Sequence, residues 1–138
     1  MKKRIVNAAS IILVLTIIFS GCKKEDKNIN PAASGIITTG QWSISSYHET
    51  GEDHTNDFAG YTFTFDSNGQ MTTSISSGTI TGSWSIDDSE NELHMDLGNT
   101  SPLDKLSKGW PIVSITENEI SLQDDNASNN EELHFVKL

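Results

Sequence analysis

Tyr61-Thr62-Phe63-Thr64-Phe65-Asp66-Ser67-Asn68-Gly69-Gln70-Met71-Thr72-Thr73-Ser74-Ile75 is the stretch that decides the fold. Its first five residues alternate aromatic side chains with threonine. That period of two puts one apolar face and one polar face on an extended strand. Asp66-Ser67-Asn68-Gly69 is turn chemistry, with Asx side chains able to bond their own backbone and a glycine free to take positive φ. Met71, Thr73 and Ile75 then resume the alternation, so the stretch reads as a β-hairpin.

The same period continues in both directions. Trp42 and Ile44 precede the hairpin. Ile80, Gly82, Trp84 and Ile86 follow it, then Leu93, Met95 and Leu97, the run Ile112 to Ile115, Ile120 with Leu122, and Leu133 with Phe135. Turn signals separate them at Ser76-Ser77-Gly78, Asp87-Asp88-Ser89 and Glu117-Asn118. One segment reads as a short helix, Pro102 to Ser107, with proline in the first turn and Leu103 and Leu106 at i, i+3. Eight short strands with one short helix predict an all-β fold, a small eight-stranded antiparallel up-and-down barrel. Closure removes the unpaired edges that eight open strands would leave. A two-sheet sandwich is the alternative.

Gly40-Gln41-Trp42 is similar to the Gly-x-Trp that opens the first strand of lipocalins and other calycin barrels. With the Tyr61 to Gly69 hairpin and Gly82-Ser83-Trp84, residues 40–138 resemble small lipocalin-like domains of bacterial lipoproteins. The resemblance implies a lipocalin-like barrel with Trp42 packed near its closed end. Where lipocalins stack a late arginine on that tryptophan, this chain offers only Lys137.

The N-terminus carries a different signal. Lys2-Lys3-Arg4 is followed by the apolar run Ile11 to Phe19 and by Ser20-Gly21-Cys22, the only cysteine. The apolar stretch from Ile5 to Gly21 is shorter than the roughly 20 residues a spanning helix needs, and it fits a cleaved signal. A membrane-spanning N-terminal helix and a plain secretory signal are the other readings. Phe19-Ser20-Gly21-Cys22 resembles the lipobox of bacterial lipoproteins. That implies a signal peptide over 1–21, lipid attachment (thioether diacylglycerol and an acylated amine) at Cys22, and firm membrane anchoring. Lys23-Lys24-Glu25-Asp26 resembles the short charged signal that sends some lipoproteins to the outer cell surface. The expected location is the outer membrane, facing either the periplasm or the cell surface. Residues 22–39, polar and without periodicity, read as a lipidated flexible tether, whose last seventeen residues would reach roughly 23 Å.

Three of the nine basic residues precede Cys22, leaving six against 19 acidic ones, a net charge of −13 from Cys22 onward. Such a surface repels phosphate backbones and excludes nucleic acid as a partner. With Cys22 lipidated, no disulfide can form.

No residue pattern names a reaction. There is no Gly-x-Ser-x-Gly, and no histidine is placed beside a nucleophile, so no catalytic residue, cofactor or metal is assigned. His48 and His54 flank an acidic loop without fixed ligand spacing. His94 and His134 fall on polar strand faces. Asp66-Ser67-Asn68-Gly69 resembles the opening of a calcium loop, but position 77 is Ser77 where glutamate is required. Asp124-Asp125-Asn126 with Glu131-Glu132 is oxygen-rich but reads as solvated turn chemistry. Trp84, Trp110 and Tyr61 are the candidates to line a binding surface for a small apolar ligand or an envelope protein; in a barrel this small they can instead fill the interior. Alternate connections of an up-and-down barrel share an end, so Glu49 to Asp57, Gly98 to Trp110 and Asp124 to Glu132 are expected to build the functional end of a monomeric binding module. A non-enzymatic structural role with a filled barrel is the competing expectation.

Overall fold

The structure, a computed structural model, describes residues 32–126 and 128–138. The signal peptide, Cys22 and the tether residues 22–31 lie outside the described residues. The predicted hairpin forms as β3 (Thr62–Phe65) and β4 (Gln70–Ile75), with Phe63 opposite Thr73 and Phe65 opposite Met71. Gly69 takes φ 86° in the turn between them, a backbone state only glycine adopts freely.

The remaining strands are β1 (Trp42–Glu49), β2 (Glu52–Asp53), β5 (Gly78–Asp87), β6 (Glu92–Asp96), β7 (Gly109–Ile115), β8 (Glu119–Asn126) and β9 (Asn129–Lys137). The sheet runs β2-β1-β3-β4-β5-β6-β7-β8-β9, all antiparallel, and β1 also pairs with β9. All eight predicted strands are present and close into a barrel. The extra strand, β2, only folds back on the end of β1. The two seams of β1 are unequal. With β9 it holds register from Trp42↔Lys137 to Glu49↔Glu131; with β3 it pairs only at Trp42↔Phe63. Gly82, in the predicted Gly-x-Trp of β5, is a close-approach glycine, since a Cβ there would collide with the carbonyl of Asp96 on β6.

Interior-facing residues alternate along the strands as expected. Trp42, Tyr47, Phe63, Phe65, Met71, Trp84, Leu93, Met95, Trp110, Ile120, Leu122, Leu133 and Phe135 are buried in one core. Rings touch in an unbroken chain from Trp84 through Phe65, Phe135, Phe63, Tyr61, Phe58 and Tyr47 to Trp110, with centroids 5.3–6.3 Å apart. Such spacings suit offset or edge-on ring packing. The Thr73 hydroxyl is buried on the same inner face with no hydrogen-bond partner among the described residues.

Two expectations need correction. The tether reading fails for residues 32–39. Ala32–Ile37 forms a helix, α1, whose Ala33 and Ile37 are buried. They stand at i, i+4, so both face the barrel, and the Trp42 indole donates to the Ile37 carbonyl at 2.9 Å. The segment is too short for helical periodicity to show against its polar neighbours. The second correction concerns 124–132, expected to be a long loop. It is the tip of the β8–β9 hairpin, paired as far as Asn126↔Asn129. Polar composition there reflects a paired hairpin with an exposed tip and a buried Glu131, not irregular chain.

Candidate functional site

The long connections gather at one end of the barrel, as predicted for the first two of the three segments. Residues 50–61 join β1 to β3 and contain β2 and a 3-10 turn, Thr55–Phe58; residues 97–108 join β6 to β7 and contain a 3-10 turn, Leu103–Leu106, within the predicted helix. Both turns deliver apolar side chains into the mouth of the barrel. Phe58 is buried edge-on against Tyr47, and Leu103 and Leu106 are fully buried.

The first turn is tied to β1. The backbone N–H of Tyr47 donates to Thr55 Oγ1 at 2.9 Å, and that of His54 donates to the Tyr47 carbonyl at 2.8 Å. The second is tied at its base through Ser107, whose hydroxyl accepts from the Leu97 N–H at 2.9 Å and lies 2.9 Å from the Gly98 carbonyl. The Trp110 indole donates to the Leu106 carbonyl at 3.1 Å.

Charge holds the same loop to the wall. Lys105 Nζ meets Glu49 Oε2 on β1 at 2.9 Å and lies 5.7 Å from the Tyr47 ring centroid. Lys108 Nζ meets Asp124 Oδ2 on β8 at 2.9 Å, bonds the Glu131 carboxylate on β9, and stands 4.2 Å over the Trp110 ring. The Tyr47 hydroxyl donates to the other oxygen of Glu131 at 3.1 Å. Glu131 is nearly inaccessible, so its charge is tolerated only because a cation and a hydroxyl meet both oxygens. Burial, then the negative charge of Glu131, pushes the Tyr47 phenol far above its usual range. Burial opposes the charge of Lys108, but the hydrogen bonds to Glu131 and Asp124 outweigh it and raise its ammonium. The hydrogen bond from Lys108 holds Asp124 below the usual carboxylate range, and that from Lys105 does the same for Glu49.

The candidate binding residues do not converge on one pocket. Trp110 is a fully buried wall of the mouth. Trp84 belongs to the opposite half of the barrel, where its indole donates to the Asp66 carbonyl at 2.9 Å. An edge of Trp84 reaches a surface cleft of about 510 Å³ between α1 and the β3–β4 turn, beside Ser34, Thr38, Asn68 and Asp88. Tyr61 is half-buried at the weak β1–β3 seam, stacked on Phe63. Trp42, expected near the closed end, is fully buried beneath α1, and Lys137 Nζ, the late cation the sequence offered for it, stands 4.9 Å from its ring centroid. Among the described residues the three lysines, 105, 108 and 137, each lie over an aromatic ring.

Sequence reasoning missed Tyr47, Lys108 and Glu131 as a unit. The only hint was scarcity: three lysines in so acidic a domain must be placed with purpose. It also missed a trio of metal-ligating side chains. Asp87, Glu90 and His94 on the β5–β6 hairpin bring one ligand atom each within 4.8 Å of the others. One Asp87 oxygen there already accepts from Ser89 and Glu90. The four histidines stay apart. His48 bonds Ser46, His54 lies between Glu52 and Asp57, His94 meets Glu92, and His134 meets Glu119.

No protein-family model matches the sequence, and no curated protein matches it. Solved structures do match. One is a DUF4847 family protein from Bacteroides vulgatus ATCC 8482, 18% identical, with 75% of this chain and 95% of that chain covered at a TM-score of 0.57. Another is a lipocalin-like protein from Bacteroides uniformis ATCC 8492, 14% identical, with 73% of this chain and 98% of that chain covered at a TM-score of 0.53. The fold is lipocalin-like. At these identities the likeness extends to the barrel alone, and a lipocalin-like barrel can be anchored, loaded or empty.

Proposed function

We propose that this protein is a lipid-anchored lipoprotein of the outer membrane whose lipocalin-like barrel is a non-enzymatic binding module, using its loop-bearing mouth to hold a small apolar ligand. The observation that carries the reading is the asymmetry of the barrel. α1 and short turns seal one end, while the long connections, with their helical turns and the buried Tyr47–Glu131–Lys108 network, stand at the other. Rigid scaffolds that gather long loops at one end tend to bind there. Anchoring rests on Ser20-Gly21-Cys22 after a short apolar run.

The full chain, purified from envelopes, should retain a lipid after incubation with envelope lipid extract and appear with it in native mass spectra. Spectra showing only the bare lipoprotein would remove the ligand reading. For the anchor, Cys22→Ala should abolish incorporation of labelled palmitate, and label persisting in that variant would refute attachment at Cys22.

A second reading, an accessory envelope protein with no ligand, is favoured by the ring chain from Trp84 to Trp110. All three indole N–H groups are bonded to backbone carbonyls, as befits filling rather than ligand contacts.

A further inference from the structure

At the mouth, strand residues Tyr47 and Trp110 are joined by Phe58, Leu103 and Leu106, which come from the connecting loops. At the α1 end the filling belongs to strand residues such as Trp42, Phe65 and Met71, locked by the ladder itself. At the mouth, Leu103 and Leu106 arrive on a loop that makes no ladder pairs over 97–108. Apart from the buried bond from the Trp110 indole to the Leu106 carbonyl and one from the Met95 N–H to the Lys108 carbonyl, that loop is held to the barrel by polar contacts at its rim: Ser107 at its base, Lys105 to β1, and Lys108 to β8 and β9. One foot is Gly98, with φ 85° and open space around it; the other is fixed, since Gly109 pairs with His94 at the start of β7 and a Cβ there would strike the Glu92 carboxylate. Segments with few ladder bonds open locally at lower cost than strands, and a loop with one unhindered glycine at its foot can swing about it as a lid.

We propose that residues 97–108 form a displaceable plug: Leu103 and Leu106 occupy the place of an uncharged apolar ligand, and the Lys105–Glu49 and Lys108–Asp124/Glu131 bridges latch the plug until a ligand expels it. The proposal rests on the apolar-ligand reading above and adds its regulation. The ligand carries no negative charge because, among the described residues, both lysines near the mouth are already paired and His54 lies between Glu52 and Asp57. Glu49 on β1 meets Lys105, Asp124 on β8 and Glu131 on β9 meet Lys108, the Tyr47 hydroxyl meets Glu131, and the His54 ring lies 6.2 Å from that of Tyr47. An anionic lipid tail would meet repulsion there. Leu103 and Leu106 share one core with Tyr47, Leu133 opposite it on β9, Leu122 opposite Leu133 on β8, and Trp110, apolar side chains that a hydrocarbon chain would cover in their place.

The test is hydrogen exchange with native mass spectrometry on the full chain in detergent, with and without 1-dodecanol as an uncharged probe. In the free protein, amides of 103–108 should exchange at least about tenfold faster than those of β8 and β9. Lys105→Met, which removes one latch and keeps the apolar stem, should speed them further and raise the fraction carrying one dodecanol. Lys108→Met should do more, but it strips the buried Glu131 of its cation, so Lys105→Met serves as the safer variant if that chain misfolds. The distinguishing sign is that dodecanol makes 103–108 exchange faster while the strands are unchanged or slower, because the plug is expelled. If dodecanol binds one to one but slows 103–108, the plug is refuted and the ligand reading survives. If no one-to-one complex forms with the wild type or either lysine variant, the plug and the apolar-ligand reading fall together.

Discussion

The two ends of the barrel are closed by the same kind of bond and held by different physics. At the α1 end the Trp42 indole donates to the Ile37 carbonyl, and at the mouth the Trp110 indole donates to the Leu106 carbonyl. Around Trp42 the partners are neutral, apart from Lys137 over its ring, and the connections at that end are hairpin turns. Around Trp110 the closure depends on charged pairs that bring together β1, β8, β9 and the 97–108 loop. Apolar burial stabilises over a wide range of pH and salt, whereas ion pairs respond to both. The α1 end is therefore built as a permanent base, and the mouth as the part whose closure conditions can change.

The largest expected effect lies at the base. Trp42→Ala removes a fully buried indole, the partner of the Ile37 carbonyl and the platform under Lys137, and should cost about 3–5 kcal/mol. Urea unfolding measures this directly. A loss under about 1 kcal/mol would mean that α1 does not seal the barrel, well below the usual cost of a lost core aromatic.

At the mouth, Glu131→Ala should cost less, about 1–3 kcal/mol, because Lys108 keeps Asp124 while the Tyr47 hydroxyl is left without its acceptor. The same melts, with hydrogen exchange of 103–108 beside them, should show the loss concentrated at the mouth. Equal loosening of α1 would erase the difference between the two ends.

Acid should separate the ends without any mutation. Glu49 and Asp124 have folded-state pKa values held below their ordinary 4.5 and 3.8 by the hydrogen bonds from Lys105 and Lys108. Their contribution is complete above those ordinary values and is lost as pH falls through the depressed ones. Lowering pH from 6 towards 3 should thus loosen 97–108 before 32–39. In Lys105→Met the Glu49 part of this dependence should vanish. A 97–108 segment whose protection is flat across that range would contradict the role of the bridges.

The smallest effect tests the base once more. Lys137→Met keeps the stem over Trp42 and removes the charge, and should cost only about 0.5–1 kcal/mol. A larger loss in chemical melts would show that the base, too, depends on charge.

Much of this architecture was legible in the chain. The period of two placed all eight barrel strands, because alternation is a local consequence of putting one strand face in a core. Turn residues placed the short connections, and the Gly-x-Trp motif placed Trp42 in the core and made Lys137 the candidate to lie over it. α1 was not legible, since six residues carry too little periodicity and Ile37 is apolar among polar neighbours for a reason found only in the barrel it covers. Residues 124–132 misled because acidic composition looks the same in a loop and on a paired hairpin.

What the sequence determined by itself was local: strand period, turn positions, an acidic surface and a short helical turn near Pro102. Only the tertiary structure decided which end is sealed, that Phe58, Leu103 and Leu106 fill the mouth, and that Tyr47, Lys108 and Glu131 form one network. Lys105 finds Glu49 across 56 residues and Tyr47 finds Glu131 across 84. Pairs at such separations leave no mark on local pattern. They exist only because barrel closure lays β1 beside β9 and brings the β6–β7 loop against both.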